Sequence, residues 1–334
     1  MSDIATLSAT EAARRVRAGA LSAVELAEAM LERVAAREPV VRAFTHLDPA
    51  LWRRQAAAVD AAVKAGRAGA LAGLAFGVKD VLDTGDQPSQ YGSPIWAGHR
   101  PRTDAACVAL ARRAGAVIAG KTVTTEFATR FPGPTTNPHD PAHTPGGSSQ
   151  GSAAGVAAGM LHLAFGTQTA GSIIRPAAYC GAHGHKPTYG TVHRGGMKVM
   201  SESLDTIGVM ARGFDDVALA MGAVSAFDHG RPSERPDRAP RILVTPGVMP
   251  DALSPETRAL LDRAAAACAA RGATVQALDL PGECRRAQEL HPVVMHGESA
   301  EALASERAMA AMLLSPGLRE KLAWGEARGG AALA

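Results

Sequence analysis

The chain has 334 residues, of which 46% are hydrophobic and 20% are charged, and its formal net charge is +3. This composition is typical of a globular protein that can bury a sizeable core without disulfides or metals. The basic residues are scattered, which argues against a nucleic-acid-binding arm, and no apolar stretch approaches the length of a membrane span. Aromatic residues make up only 4% of the chain, so Ala, Val and Leu must build the core.

The spacing of the cysteines and the composition of the N-terminus indicate in which cellular compartment the protein resides. The four cysteines are far apart and contain no CxxC pair, which argues against a disulfide framework or a zinc site and fits a reducing compartment. The N-terminal segment MSDIATLSATEAARR lacks the apolar core of a signal peptide. The sequence therefore predicts a cytoplasmic protein.

The N-terminal region is predicted to be helical. Ser22 and Glu25 have the spacing of a capping box at the start of the second helix. That helix should end at about Glu38, because Pro39 follows it. A third helix is predicted over residues 51–65.

From Leu71 onward the pattern changes to short apolar runs that alternate with helical segments. LAFGVKD (74–80) and AVIAG (116–120) have the character of short buried strands. A stretch rich in Pro, Gly, Ser and Thr follows at 131–151, and long loops of this kind inside compact domains are usually functional. A small-residue helix is predicted at 152–159 and a short strand at 161–165. Strands that alternate with helices indicate an α/β architecture.

The second half of the chain continues the alternation. Strands are predicted at RILVTPG (241–247) and TVQALDL (274–280), with a helix capped by Ser254 between them. The segment from Gly297 to the end is predicted to be helical. DHGRPSERPDRAPR (228–241) is predicted to connect two subregions of one domain.

One motif, GAVIAGKT at Gly115–Thr122, fits the phosphate-binding loop G-x-x-x-x-G-K-[ST]. In a working phosphate loop the residues between the glycines curl so that their backbone N–H groups point at the phosphates. Here those residues are Ala-Val-Ile-Ala, which favour a buried strand. The more economical interpretation is a strand that contains Lys121.

A second motif, GSSQG at Gly147–Gly151, matches the nucleophile elbow G-x-S-x-G with Ser149 at its centre. An elbow requires a strand immediately before the serine. The Pro-rich loop precedes it here, so the context argues against an α/β-hydrolase.

Three further stretches are informative because they occur together: FGVKD, a Gly-Gly-Ser-Ser loop, and a later Gly-Ser turn. Their order, and the separation of Ser148 from Ser172, closely resemble the amidase-signature family. Weaker resemblance extends from the N-terminal helices through KTVTTEFAT to SLDTIGVMAR, so it covers most of the chain. The segments that carry it are Phe76–Asp80, Lys121–Thr129, Pro145–Gly159, Gly166–Gly190 and Ser203–Arg212.

The resemblance implies a serine amidohydrolase that cleaves the C–N bond of a linear amide and uses no cofactor. It assigns Ser172 as the nucleophile that forms an acyl-enzyme, and Ser148 as the group that passes the proton of Ser172 to Lys79. A serine hydroxyl is a poor nucleophile until a base takes its proton. Lysine acts as a base only when it is neutral, and burial favours its neutral form.

The resemblance also implies two features of the backbone. One is a cis peptide bond between Gly147 and Ser148. The other is an oxyanion hole formed by the backbone N–H groups of Thr169, Ala170 and Gly171, together with that of the nucleophile.

Several histidines lie in or near the predicted loops, some with HxxxH or HxH spacing. Neither pair lies on a predicted helix, and no cysteine or carboxylate cluster completes a ligand set, so no metal site is expected. These histidines are His139, His143, His183, His185 and His193.

The chain departs from the pattern it resembles at several positions. The family usually has Asp where this chain has Gln168, and Gly where it has Gln150 and Ala170. The arginine that usually lies two residues after the nucleophile is replaced by Ile174, and Arg175 follows. These changes leave the three catalytic positions intact, but they weaken any inference about the substrate.

The expected architecture is an α/β fold in which a mixed central β-sheet is surrounded by helices, forming one domain over residues 1–334. Family members usually continue well beyond this length, so the resemblance implies a shortened C-terminal part. The expected partner is a small-molecule amide, with no nucleic acid and no membrane, and a homodimer is left open. Two alternatives remain: a non-catalytic or partner-dependent amidotransferase-like relative, and a less favoured P-loop NTPase that uses Lys121.

Overall fold

A computed structural model describes residues 4–225, 227–234 and 238–332. The helices are α1 (Ala9–Arg17), α2 (Ala23–Val41), α3 (Pro49–Lys64), α4 (Ala106–Arg113), α5 (Gln150–Ala157), α6 (Ile174–Cys180), α7 (Phe214–Val224), α8 (Pro255–Ala269), α9 (Gly282–Ala302), α10 (Ala304–Ala310) and α11 (Pro316–Ala332). The strands are β1 (Phe44–Leu47), β2 (Ala75–Lys79), β3 (Val117–Thr122), β4 (Leu163–Gln168), β5 (His183–His185), β6 (Thr206–Ala211), β7 (Arg241–Val244) and β8 (Thr274–Ala277). Within the described ranges, no helix is long and apolar enough to cross a membrane.

Six strands form one mixed sheet in the order β1-β3-β2-β4-β6-β5. Strand β2 is parallel to both β3 and β4, whereas β1, β6 and β5 each run antiparallel to a neighbour. Every residue of β2, β3, β4 and β6 is buried. Central strands that are covered on both faces require such continuous burial. The expected α/β fold with a mixed sheet surrounded by helices is confirmed.

The predicted end of the second helix was wrong. Helix α2 continues through Pro39 to Val41. A proline removes one backbone donor, but close to a helix C-terminus little of the helix remains to be disrupted. The carboxylate of Glu38 then accepts hydrogen bonds from Ala43 N and Phe44 N, both at 2.9 Å, which satisfies the backbone where the chain leaves the helix.

Helix α5 lies in the interior beside the central strands, and its small residues make this possible. A Cβ on Gly151 would lie 2.2 Å from Ala43 O, so only glycine permits this approach. Ser152 Oγ donates to Phe165 O at 2.8 Å, which ties α5 to strand β4. The predicted helix at 152–159 and the predicted strand at 161–165 are therefore present, with their boundaries shifted by two or three residues.

The C-terminal region contains more helix than the sequence indicates. The predicted strands form a separate two-stranded parallel sheet, β7-β8, with α8 between them. Helix α9 begins at Gly282 rather than near Gly297, and it contains Pro292, whose presence disfavours a helix at the sequence level. Of the proposed connecting segment 228–241, residues 235–237 lie outside the described residues.

The last helices pack against the rest of the fold through a second apolar cluster. It is distinct from the main core, which is built mostly from Ala, Val and Leu as the composition predicts. This packing holds α11 and the segments that contain Leu303 and Leu314 against Tyr91 and Phe127. The members of the cluster are Tyr91, Phe127, Leu303, Leu314, Leu318 and Leu322.

Candidate active site

The carboxyl ends of the parallel strands β2 and β4 lie side by side and form the floor of the site. The register pairs Val78 with Phe165, so Lys79 and Thr167 lie at the same edge of the sheet. Ligands and catalytic groups of α/β sheets commonly collect at this edge. Lys79 is the last residue of β2, and its side chain is 0% exposed.

Lys79 lies within a set of oxygen partners. Its Nζ donates to Ser148 Oγ at 2.7 Å, to Thr167 Oγ1 at 2.7 Å and to Thr167 O at 3.3 Å. Burial lowers the pKa of Lys79 from its ordinary value of 10.5 to about 7, and the negative charge of Asp205 offsets part of this effect. Lys79 can therefore exchange a proton with Ser148 near neutral pH.

The Gly147–Ser148 peptide bond is cis, as the resemblance implies. The carbonyl groups on both sides of this bond are held by hydrogen bonds. Thr125 N donates to Ser148 O at 3.2 Å. Arg175 donates to Gly147 O through Nε at 3.1 Å and through Nη2 at 2.7 Å. These contacts fix the loop that presents Ser148 to Lys79.

Ser172 lies in the turn that leads from β4 into α6, and it is 7% exposed. Its carbonyl oxygen accepts a hydrogen bond from Ser149 N at 3.3 Å, which joins this turn to the Ser148 loop. Within the described part of the chain, no hydrogen bond joins Ser148 Oγ to Ser172 Oγ. The fold therefore brings Lys79, Ser148 and the Ser172 turn together, with the final link to the Ser172 hydroxyl unformed.

The turn before Ser172 carries free backbone donors. Among the described residues, the N–H groups of Thr169, Ala170, Gly171 and Ser172 donate no backbone hydrogen bond outside regular strands and helices. Unpaired N–H groups beside a serine hydroxyl can stabilise negative charge that develops on a substrate oxygen. This position is the one expected for an oxyanion hole.

Gln168 supports this turn, although the family usually has an aspartate there. Its Oε1 accepts from Ile173 N at 2.8 Å and from Ile174 N at 3.1 Å, and its Nε2 donates to Ala170 O at 2.9 Å. The amide oxygen therefore satisfies the first donors of α6, as a carboxylate would. The substitution keeps the local geometry while removing a negative charge.

Thr167 and Asp205 also belong to the site, although no catalytic motif in the sequence singles them out. Thr169 Oγ1 donates to Asp205 Oδ1, while Met200 N donates to Asp205 Oδ2 at 2.8 Å. Asp205 thus holds the turn at 169–172 through Thr169 and also acts electrostatically on Lys79. The only sequence feature that could have pointed to Asp205 is its position in SLDTIGVMAR, one of the stretches that resemble the amidase-signature family.

A pocket of about 70 Å³ opens onto Ser172. The Ser172 turn and the short helical segment at Glu126–Ala128, with Arg130 after it, form part of the wall. Helices α9 and α11 supply further lining residues, among them Met295 and Lys321. The C-terminal helices therefore shape the space in which a substrate would lie.

The structure explains why the phosphate-loop motif at Gly115–Thr122 and the nucleophile-elbow motif at Gly147–Gly151 do not have those functions. Lys121 is 0% exposed in strand β3, where it donates to Leu82 O at 2.6 Å and forms an ion pair with Asp80 at 3.1 Å. It has no access to a phosphate. Ser149 is also 0% exposed and donates to Thr167 O at 3.2 Å, so it braces the loop instead of facing the pocket.

The loop histidines make local contacts. His139 Nε2 donates to Cys180 O at 2.8 Å, and His143 lies 2.9 Å from Asp140. Within the described residues, no group of three or more His, Cys, Asp or Glu side chains is arranged to hold a metal ion.

Comparison with known proteins gives a consistent family signal. A family model described as Amidase matches residues 25–333. The chain is 39% identical, over 296 residues, to a glutamyl-tRNA(Gln) amidotransferase subunit from Rhodopirellula baltica, and the match covers 82% of this chain and 59% of the relative. The corresponding amidotransferase subunit from Acidothermus cellulolyticus is 45% identical over 236 residues, with coverage of 68% and 46%.

Solved structures have the same fold. The native peptide amidase of Stenotrophomonas maltophilia superposes with a TM-score of 0.78 at 31% identity, over 97% of this chain and 72% of that one. The chain therefore spans about half the length of the amidotransferase subunits it matches, and about three quarters of the peptide amidase.

Proposed function

Since the chain belongs to the amidase family, we propose that it hydrolyses a linear carboxamide through an acyl-enzyme on Ser172. The observation that carries the proposal is the buried Lys79, with Ser148 Oγ 2.7 Å from its Nζ and the Ser172 turn beside it. Burial destabilises the charged form of a lysine, and the neutral base that results is what a serine nucleophile requires.

In the first half of the reaction, Ser172 Oγ attacks the carbonyl carbon of the amide. The proton of Ser172 passes to Ser148 while the proton of Ser148 passes to neutral Lys79. The carbonyl oxygen becomes negatively charged and is stabilised by the N–H groups of the turn at 169–172. The C–N bond then breaks, and the relay returns a proton to the leaving nitrogen, which departs as ammonia or an amine.

In the second half, a water molecule attacks the ester carbon of the acyl-enzyme. The relay accepts a proton from this water, the bond between carbon and Ser172 Oγ breaks, and the proton returns to Ser172. The products are a carboxylic acid and the regenerated serine. No cofactor is needed, because the same relay acts as base and then as acid in each half.

The test is ammonia release from a panel of small primary amides. We expect the Ser172→Ala variant to lose the activity of the wild-type chain, because no nucleophile remains. Ser254→Ala is the matched control: Ser254 is an exposed serine that caps α8, so this variant should keep the activity. Equal activity in the wild-type chain and Ser172→Ala would contradict the proposal.

A second candidate is an amidotransferase-like subunit that works only with a partner. The names of the relatives from Rhodopirellula baltica and Acidothermus cellulolyticus favour it, as does the unformed link between Ser148 and Ser172. Ammonia release by the purified chain alone would argue against this candidate. A folded chain that releases no ammonia from any amide in the panel would favour it.

A further inference from the structure

The pocket beside Ser172 has an unbalanced charge. Three cationic side chains line it, those of Arg130, Arg175 and Lys321, and no acidic residue is among its described lining residues. Arg175 already has two of its nitrogens on Gly147 O. Within the described residues, Arg130 and Lys321 make neither an ion pair nor a hydrogen bond, and both are therefore available to a ligand.

These two cations reach the pocket from different parts of the chain. Arg130 follows the short helical segment at Glu126–Ala128, and Lys321 lies on helix α11, almost two hundred positions later in the chain. Burial lowers the pKa of Lys321, and the positive charge of Arg130 lowers it further, while the negative charge of Glu320 offsets part of this effect. Burial and the charges of Lys321 and Arg130 also lower the pKa of His296, which lines the same pocket.

Arg130 is exposed and Lys321 is half-buried. Like charges that line the same pocket repel, and a bound anion would reduce that repulsion. The rest of the wall includes the apolar side chains of Met200, Met295 and Leu318. A volume of about 70 Å³ has room for a short molecule only. The pocket lining therefore combines Ser172, several apolar side chains and two cations without a partner among the described residues.

We propose that Arg130 and Lys321 bind an anionic group of the substrate, so that the chain prefers short amides that carry a carboxylate at the end remote from the scissile bond. This inference rests on the proposed amide hydrolysis. The cations would orient the amide toward Ser172, and they would reject neutral and cationic amides of the same size.

The test compares succinamate with succinamide, which have nearly the same shape and differ in one terminal charge. Hydrogen bonds to a charged group are stronger than neutral ones, so we expect kcat/KM to favour succinamate by about tenfold or more. Arg130→Gln and Lys321→Gln should each reduce this ratio, chiefly through KM, and Lys321→Arg should restore most of it. Arg319→Gln is the control, because it removes a positive charge from the same helix outside the pocket lining.

Binding to the Ser172→Ala variant separates this inference from the proposed hydrolysis. Tighter calorimetric binding of succinamate than of succinamide, lost in a Ser172→Ala chain that also carries Lys321→Gln, would support the anion site even if the wild-type chain cleaved no amide. Hydrolysis of both amides with equal kcat/KM would overturn the anion site and leave the proposed function standing. Equal effects of Lys321→Gln and Arg319→Gln would also overturn it.

Discussion

The protonation of Lys79 gives the most quantitative prediction. With a pKa of about 7, roughly half of the Lys79 side chains are neutral at pH 7, whereas about one in three thousand would be neutral at a pKa of 10.5. Activity should therefore rise with pH through about 7 and level off above it. Replacing Lys79 with Met, which has a similar length and no titratable group, should reduce kcat by about 10²–10⁴-fold.

The same group links stability to pH. Between pH 7 and pH 10.5 the unfolded state binds more protons at Lys79 than the folded state does, so the free energy of unfolding should rise with pH in that window. With a pKa of about 7 in the folded state and 10.5 in the unfolded state, the contribution of Lys79 to the free energy of unfolding increases by about 3 kcal/mol from pH 6 to pH 9. The Lys79→Met variant lacks this contribution.

The measurement is urea unfolding of the wild-type chain and of Lys79→Met at pH 6, 7, 8 and 9. The other titrating groups are common to both proteins, so their contributions cancel in the difference. We expect the wild-type chain to gain about 3 kcal/mol relative to the variant across this range. Parallel pH dependences of the two proteins, or wild-type activity that does not fall below pH 7, would refute the reasoning about burial.

Three other substitutions test the surroundings of the site. Asp205→Asn removes the negative charge that raises the pKa of Lys79, so the acid limb of the pH–rate profile should move to lower pH; an unchanged limb would show that this charge does not act on Lys79. Gln168→Ala leaves the first N–H groups of α6 without an acceptor and should cost roughly 1–3 kcal/mol of unfolding free energy, whereas Gln168→Glu should retain most of it. Glu306 is buried and lies 2.6 Å from the Lys198 ammonium, so Glu306→Gln should cost about 3 kcal/mol in thermal or urea unfolding. Glu301→Gln, an exposed change on α9, should cost close to nothing, and equal losses in these two variants would contradict the role of the buried ion pair.

Features that depend on local sequence were predictable. The capping box of α2 forms as expected: Glu25 N donates to Ser22 Oγ at 3.0 Å, and Ser22 N donates to Glu25 Oε2 at 2.9 Å. Strand β2 was recognised from its apolar run, and Lys79 lies at its end. The relay of Lys79, Ser148 and Ser172 was proposed from the resemblance to the amidase-signature family, because the motifs that carry these residues occur in the family's order.

Features that depend on distant contacts were not predictable. Asp205 reaches the site because β6 pairs antiparallel with β4, and a single sequence contains no signal for that pairing. The contact of His291 Nε2 with Thr169 O, at 3.1 Å, arises in the same way from the packing of α9. The sequence could not place Lys321 in the pocket lining, because this depends on the position of α11. That position is set by the apolar cluster that contains Phe127 and Leu318.

The measurement that tests the central claim most directly is the intact mass of the chain after treatment with a reactive fluorophosphonate. A single adduct on the wild-type chain that is absent from Ser172→Ala and retained by Ser254→Ala would show that Ser172 is an activated nucleophile, and this is the result we predict. An adduct that persists in Ser172→Ala, or the absence of any adduct on a chain shown to be folded, would contradict the account.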